Sequence, residues 1–253
     1  TWKNMGLKKS EHISKIIVHP KKSNIIWVAS QGPLWSQGGE RGVFKSIDGG
    51  ATWTQKLGDA EWIGATDLII DPRNNKLLYA ATWQRHRTVA GYLGGGPGTA
   101  IYKSKDGGNN WEKLTNGLPK SNMGKIGLTI APQNPDIIYA AIELDRRKGG
   151  VFKSTNKGAD WEKMSDAVSG GTGPHYYQEI FASPHNFNEI YLVDNYMQVS
   201  YDGGKTFTRM NEQEKHVDNH AIAFKKSDPN YILVGCDGGL YESFDNTKNW
   251  KFG

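Results

Sequence analysis

The sequence holds one cysteine, Cys236, so no disulfide can form within the chain and stability has to come from packing and hydrogen bonds. Cys236 ends the apolar run Tyr231-Ile-Leu-Val-Gly-Cys236 and reads as a small buried residue of a strand, not as a reactive thiol. No apolar run is long enough to span a bilayer as a helix, and no secretory leader pattern is visible. No Asn-x-Ser/Thr acceptor occurs, which speaks against a glycosylated ectodomain. The 31 Lys and Arg exceed the 26 Asp and Glu without forming a basic run, so the net charge of +5 does not mark a nucleic-acid surface.

Aromatic residues are plentiful, at 11% with nine tryptophans, enough to fill a core made of many small packed sheets. Five stretches share the pattern Ser-x-Asp-x-Gly-x-x-Trp: Ser46-x-Asp48-x-Gly50-x-x-Trp53, Ser104-x-Asp106-x-Gly108-x-x-Trp111, Ser154-x-Asn156-x-Gly158-x-x-Trp161, Ser200-x-Asp202-x-Gly204-x-x-Phe207 and Ser243-x-Asp245-x-Thr247-x-x-Trp250. A recurrence every 40–60 residues or so signals a repeat architecture. Each copy follows a short β-rich run such as Gly42-Val-Phe-Lys-Ser46 and precedes another such as Trp53-Thr-Gln-Lys-Leu57. The pattern is therefore a hairpin turn, in which Asp or Asn bonds nearby backbone N–H groups and Gly supplies positive φ.

These five stretches resemble the Asp-box, or BNR repeat, and the resemblance covers the whole chain. It departs from the pattern at Asn156, Phe207 and Thr247, all tolerable in a turn. The resemblance implies an all-β protein, a β-propeller of four-stranded antiparallel blades, in which the box residues are structural and not catalytic. A second recurrence supports four strands per unit: a β run ends in Pro, and an aromatic follows seven residues later. The instances are Pro20 to Trp27, Pro72 to Tyr79, Pro132 to Tyr139 and Pro184 to Tyr191, with a degenerate fifth copy at Lys226 and Leu233.

The expected organisation is one propeller segment over 1–253. Its blades fall at 12–57, 65–114, 125–165, 178–211 and 219–253, and residues 1–6 form the outer strand of an upstream blade. On this reading the natural protein carries more blades; the alternative is a closed five-blade ring with a spare strand. Stretches outside the boxes narrow the resemblance: Gly32-Pro-Leu-Trp35, Tyr176-Tyr-Gln-Glu-Ile180, His216-Val-Asp-Asn-His220 and Gly235-Cys-Asp-Gly-Gly239. They look like bacterial secreted proteins with a sortilin-like propeller, often described as glycosyl hydrolases. This implies an extracytoplasmic location.

The loops between second and third strands, and those linking blades, are long and chemically dense, and binding residues concentrate on loops held by a rigid scaffold. Candidate ligand-binding residues on them are Trp35, Trp62, Arg85, His86, Arg87, Tyr92, Arg146, His175, Tyr176, Tyr177, His216 and His220. The run Gly94-Gly-Gly-Pro-Gly98 reads as a mobile loop, because no Lys-Ser/Thr follows as a phosphate loop would need. His216-x-Asp218-x-His220, if extended, places three side chains on one side, suited to a metal or to an acid with orienting imidazoles. Asp237 lies one hairpin later. The competing reading is a hydrogen-bonded plug that ties the fourth blade to the fifth.

Glycoside hydrolysis needs two carboxyl groups roughly 5–10 Å apart; the candidates are Asp59, Glu61, Asp145, Glu179, Asp218 and Asp237, with Asp218, Glu179 and Asp237 foremost. The leading expectation is a secreted or envelope propeller that binds a protein, peptide or glycan through its loop-rich face, with no chemistry of its own and no cofactor. The alternatives are a glycoside hydrolase of sialidase or xyloglucanase type and a structural subunit of a larger envelope assembly, with further blades or a partner chain covering its open edge.

Overall fold

The computed structural model of the chain describes residues 1–58, 61–144, 148–168 and 178–253. The regular structure is all β, gathered into five four-stranded antiparallel sheets that are the blades of a β-propeller. The chain divides into two compact units, Thr1–Ile126 and Gly127–Gly253.

The first unit holds two blades. Blade 1 is β1 (Ile13–Val18), β2 (Ile26–Ser30), β3 (Gly42–Ser46) and β4 (Thr54–Leu57). Blade 2 begins with β5 (Ile63–Asp71) and β6 (Asn74–Gln84), detours through a small hairpin of β7 (His86–Arg87) and β8 (Tyr92–Leu93), and ends with β9 (Ile101–Ser104) and β10 (Glu112–Leu114). The second unit holds three blades. Blade 3 is β11 (Ile126–Ile130), β12 (Ile138–Glu143), β13 (Gly149–Ser154) and β14 (Glu162–Ser165). Blade 4 is β15 (Glu179–Ala182), β16 (Ile190–Val193), β17 (Gln198–Ser200) and β18 (Thr208–Arg209). Blade 5 is β19 (Asn219–Phe224), β20 (Ile232–Cys236), β21 (Gly239–Ser243) and β22 (Lys251–Phe252).

A gradient of polarity explains why each strand takes its place in a blade. Second strands are near-continuous apolar runs buried on both faces, as in Ile26-Trp-Val-Ala-Ser30 and Ile190-Tyr-Leu-Val193. Fourth strands are short and polar, Thr54-Gln-Lys-Leu57 and Thr208-Arg209, and lie exposed at the outer edge. In three of the repeated turns the closing aromatic packs back on the preceding blade. Trp111 of blade 2 joins the cluster of Trp27, Ala29 and Val43 in blade 1, and Trp250 of blade 5 joins that of Tyr191, Val193 and Met197 in blade 4. Phe207, the one non-Trp, does the same against Tyr139 and Val151. The turn backbone adds to this contact: Gly107 O of blade 2 accepts from Trp27 Nε1 at 3.0 Å and from Lys45 Nζ at 2.7 Å.

The repeated turn itself is built from side-chain bonds to its own backbone. Ser46 Oγ donates to Asp48 Oδ1 (2.7 Å) and accepts from Gly50 N (2.8 Å). Asp48 in turn accepts from Thr52 N (2.9 Å) and Thr52 Oγ1 (2.6 Å). The other copies repeat this, with Asn110, Thr206 and Asn249 in the place of Thr52. The copy at Asn156 exchanges charge: Asn156 Nδ2 donates to Asp160 Oδ2 at 2.7 Å, so the carboxylate stands four residues later and the bond survives. Positions four and five of every copy are left-handed. Gly49 and Gly50 lie at φ 73° and 92°, while Lys157 (59°), Asn246 (55°) and Thr247 (70°) adopt the same conformation without being glycine.

Ahead of β1, Met5 O accepts from Trp53 Nε1 (2.7 Å) and Leu7 is buried with Val28 and Phe44 of blade 1. One expectation is corrected. The loop at 83–99 is tied down and not loose. Trp83 Nε1 donates to Gly94 O (2.8 Å), Gly98 N to Gln84 Oε1 (2.9 Å) and Gly96 N to Met123 O (3.1 Å), which fixes the glycine run at both ends.

A β-branched residue in the left-handed region costs roughly 1–2 kcal/mol, part of which a glycine there gives back as chain entropy. Thr247→Gly is therefore predicted to stabilise the protein by about 1 kcal/mol, read as a raised midpoint in urea unfolding. The acid response follows from the turn carboxylates. Hydrogen bonds from Thr52 and Ser46 hold Asp48 down to about 2, and those from Asn110 and Thr206 hold Asp106 and Asp202 well below the usual carboxylate range. A depressed folded value gives stability that is present above the unfolded value near 4 and lost as pH falls through the folded one. Asp48→Asn is expected to make the loss of stability between about pH 4 and 2 shallower than in the native chain, measured by urea unfolding at stepped pH.

Candidate functional site

In the first unit three loops converge through their backbones. Gly38 N donates to Glu61 O at 2.8 Å, Arg85 N to Trp62 O at 3.3 Å, and Arg87 N to Leu34 O at 3.3 Å. Residues 31–41, the segment entering β5 and the β7–β8 hairpin are thereby laced into one platform. The first of these loops is shaped by Arg41, which is fully buried and donates to Gly38 O (2.7 Å), Gln31 O (2.9 Å), Ser36 O (2.6 Å) and Pro33 O. A guanidinium with five fixed donors is well suited to satisfy several carbonyls that no strand can reach.

The platform carries five of the candidate residues, in two contacting groups. The Arg87 guanidinium lies over the Trp35 ring at 5.1 Å and over the Tyr92 ring at 5.9 Å. Trp62 and His86 pack at a tilt, with ring centroids 3.8 Å apart and planes at 31°. Trp35 is 58% exposed and Tyr92 40%, so the stack faces solvent. Arg85 departs from expectation. It is 5% exposed, lies over Trp83 at 5.1 Å and spends one N–H on Gly32 O (3.0 Å), so it supports the platform from beneath and does not reach a ligand. Burial pushes the Arg85 guanidinium down to about 10, still charged at neutral pH, and the Arg41 charge adds to that shift. Beside the glycine run opens a depression of about 710 Å³ lined by Pro97, Lys113, Asn116, Lys120 and Asn122 among others.

In the second unit the expected alignment of His216, Asp218 and His220 is not formed. Asp218 has φ 61°, which breaks the extended path, and only residues from Asn219 onward belong to β19. His216 Nδ1 lies 2.7 Å from Val217 O, its own neighbour. His220 sits at a β-bulge, between Asn219 and Ala221 in the register with β20, and is turned to Asp237, with Nε2 and Oδ1 2.8 Å apart. Asp218 accepts from Asn195 Nδ2. Among the described residues no cluster of three His, Cys, Asp or Glu side chains is arranged to hold a metal. Glu179 pairs with Val193 at the start of β15, and Glu61 enters the platform through its backbone carbonyl. Asp59, Asp145, Arg146, His175, Tyr176 and Tyr177 lie outside the described residues.

Sequence reasoning missed the group that organises this second loop. Lys215 is buried and lies 2.7 Å from Glu212 Oε1, while Glu212 Oε2 accepts from Met197 N at 3.0 Å. Buried Asn219 donates to Glu212 Oε1 (2.9 Å), Asp194 O (3.1 Å) and Asn195 O (3.1 Å). This network, not the histidines, ties the loop after blade 4 to blade 5. The Lys-x-x-x-Asn spacing of Lys215 and Asn219 was readable, but nothing in the sequence distinguished that lysine from the solvated ones.

No protein-family model matches the chain. It is 24% identical over 225 residues to the xyloglucanase Xgh74A of Acetivibrio thermocellus, covering 78% of this chain and 26% of that protein. It is 27% identical over 180 residues to a xyloglucanase of Hypocrea jecorina, covering 68% of this chain and 20% of that protein. The chain thus spans about a quarter or less of these relatives' length. Among solved structures, an ancestral GH74 enzyme superposes with TM-score 0.65 at 19% identity, covering 95% of this chain and 33% of that one. YCF48 from Cyanidioschyzon merolae superposes with TM-score 0.59 at 16% identity, covering all of this chain and 74% of that one. The chain is a β-propeller close to those of GH74 xyloglucanase type.

Removing one member of a buried ion pair leaves the other charge without compensation, at about 3–5 kcal/mol. Lys215→Met is predicted to destabilise the second unit by about 3 kcal/mol, whereas His216→Ala, on the exposed side of the same loop, changes stability by less than about 0.5 kcal/mol, both read from urea unfolding.

Proposed function

We propose that this chain is the propeller part of an extracytoplasmic Asp-box protein that binds a polysaccharide across the loop platform of blades 1 and 2. The observation that carries this reading is the solvent-facing stack of Trp35, Arg87 and Tyr92, set beside Trp62 and His86 on loops laced together by backbone bonds. Sugar rings present apolar C–H faces ringed by hydroxyls, and rigid aromatic side chains give such faces contact area at low entropy cost. An exposed aromatic group rimmed by polar residues on a rigid scaffold is a usual mark of a binding surface. The similarity to xyloglucanases supports a carbohydrate ligand over a peptide one.

Glycoside hydrolysis is the second reading, favoured by the same similarity. Its carboxylates would be Asp237, held by His220, and Asp218 or Glu179. The two readings separate in one assay: reducing ends released from xyloglucan or another β-glucan by the chain, with loss in Asp237→Asn, would favour hydrolysis. Binding without release favours the first.

Trp35→Ala is predicted to weaken binding of β-glucan oligosaccharides about tenfold, near 1.4 kcal/mol, in isothermal titration. Affinity within twofold of the native chain would remove the stack from the reading.

A further inference from the structure

The depression beside the glycine run is joined to the aromatic stack by residues 92–96. The Tyr92 ring lies against Gly94, where a Cβ would come within 2.9 Å of it, and Gly94 O accepts from Trp83 Nε1 (2.8 Å). Gly95 packs on the backbone at Met123, and Gly96 N donates to Met123 O at 3.1 Å. Gly96 and Met123 both line the depression. Tyr92 and Gly96 are four residues apart, a reach of at most about 14 Å. Gly94 and Gly95 are half-buried and carry no side chain, so bare backbone separates the stack from the depression. The opposite wall is held as firmly. Leu118 and Met123, each 6% exposed, anchor the segment between β10 and β11, and Leu118 N donates to Thr115 O at 3.3 Å. At about 710 Å³ the depression falls within the roughly 300–1,000 Å³ usual for small-molecule sites. Its chemistry differs from that of the stack, since among the described residues no aromatic ring lines it. Pro97 and Pro119 supply rigid apolar surface, and Thr115, Asn116, Ser121 and Asn122 supply hydroxyls and amides. Such groups both donate and accept hydrogen bonds, as sugar hydroxyls do, and Lys113 and Lys120 add donors.

We infer that the glycan site extends from the stack across the glycine run into this depression. The ligand is then a run of several sugar units, held by ring faces at Trp35 and Tyr92 and by hydroxyls at Asn116, Ser121 and Asn122. The inference rests on the glycan-binding reading and adds to it the length of chain recognised and the chemistry at its second end. A polar depression is filled with water, and a ligand group gains affinity there when it reproduces the bonds of the water it displaces, which a sugar hydroxyl does and an apolar group does not. Aromatic faces accept any sugar that shows a C–H face, whereas choice between sugars comes from placed polar groups, and the depression supplies them. Once one sugar unit is seated on the stack, the next binds as an intramolecular event, so modest contacts in the depression multiply into affinity.

The test is isothermal titration of the full chain with cellobiose, cellotetraose and cellohexaose, β-glucan probes that differ in length alone. The expected result is an affinity that rises about tenfold or more from cellobiose to cellohexaose. Ser121→Trp, which fills the depression, should bring cellohexaose down to the level of cellobiose and leave cellobiose within about twofold of its native affinity. Asn122→Ala, which removes an amide and adds no bulk, should weaken cellohexaose about fivefold and spare cellobiose. Both positions are exposed, so the urea midpoint of each variant should stay at the native value, and if Ser121→Trp lowers it the Asn122→Ala result decides. Trp35→Ala should weaken all three probes. An affinity that does not change with length overturns the extension and leaves the stack as the whole glycan site. Native affinity for cellohexaose in both depression variants also overturns it, as does equal loss of cellobiose and cellohexaose in Asn122→Ala. No binding of any probe overturns the glycan reading and the extension together.

Discussion

Five serine hydroxyls carry the architecture. Ser46, Ser104, Ser154, Ser200 and Ser243 are each at most 1% exposed, and each hydroxyl donates to the carboxylate or amide two residues on while accepting the N–H four residues on. A turn of consecutive left-handed residues points its N–H groups inward, where no strand can meet them, and a buried donor left unmet costs about 1–3 kcal/mol. Once those donors are satisfied, the turn can be buried against the preceding blade. The closing aromatic then has a surface to pack on, and Trp27 and Lys45 find a carbonyl to bond. Blade follows blade because the outer hairpin of one is a finished surface for the next.

This dependence is local, and that is why the fold could be read from residue types. The bonds from the repeated Ser and Asp or Asn side chains to their own turn span at most four residues, so the eight-residue pattern contains most of its own explanation, down to the exchange of charge between Asn156 and Asp160, although the N–H at the fourth position reaches an earlier turn, as Gly49 N does to Asn24 O. The strand order within a blade was equally legible, because apolar inner runs and polar outer runs differ in composition. The site was legible only in its ingredients. Trp35, Trp62, His86, Arg87 and Tyr92 are the right residue types on the right loops, yet their convergence depends on backbone bonds between segments up to some fifty residues apart. Arg85 and Arg87 illustrate the limit: two residues apart, they would share a face of an extended strand, yet Arg85 precedes β7 and lies buried over Trp83, while Arg87 lies over two exposed rings. The histidine pattern failed for a different reason. Reading it as extended assumed a period of two, and the left-handed turn at Asp218 together with the bulge at His220 broke that period twice within three residues.

The two units solve the same problem with different chemistry. A long loop on a propeller must satisfy backbone groups that have no strand to pair with. In the first unit Arg41 does so with a single side chain spread over four carbonyls, beneath an exposed aromatic stack. In the second, Lys215, Glu212 and Asn219 form a neutralised set that meets both donors and acceptors, and the exposed surface over it is a His–Asp pair and not an aromatic stack. The difference in scaffolding therefore sets the difference in surface character.

The Arg41 staple also bears on kinetics. A loop whose carbonyls are already claimed from below has little freedom left to surrender when something settles on its outer face, so the entropy of ordering was spent at folding and not at encounter. Trp35 is presented in a conformation that the backbone already dictates. Capture at such a surface is governed by diffusion and long-range attraction, and differences in residence time fall to the few side chains that touch the ligand.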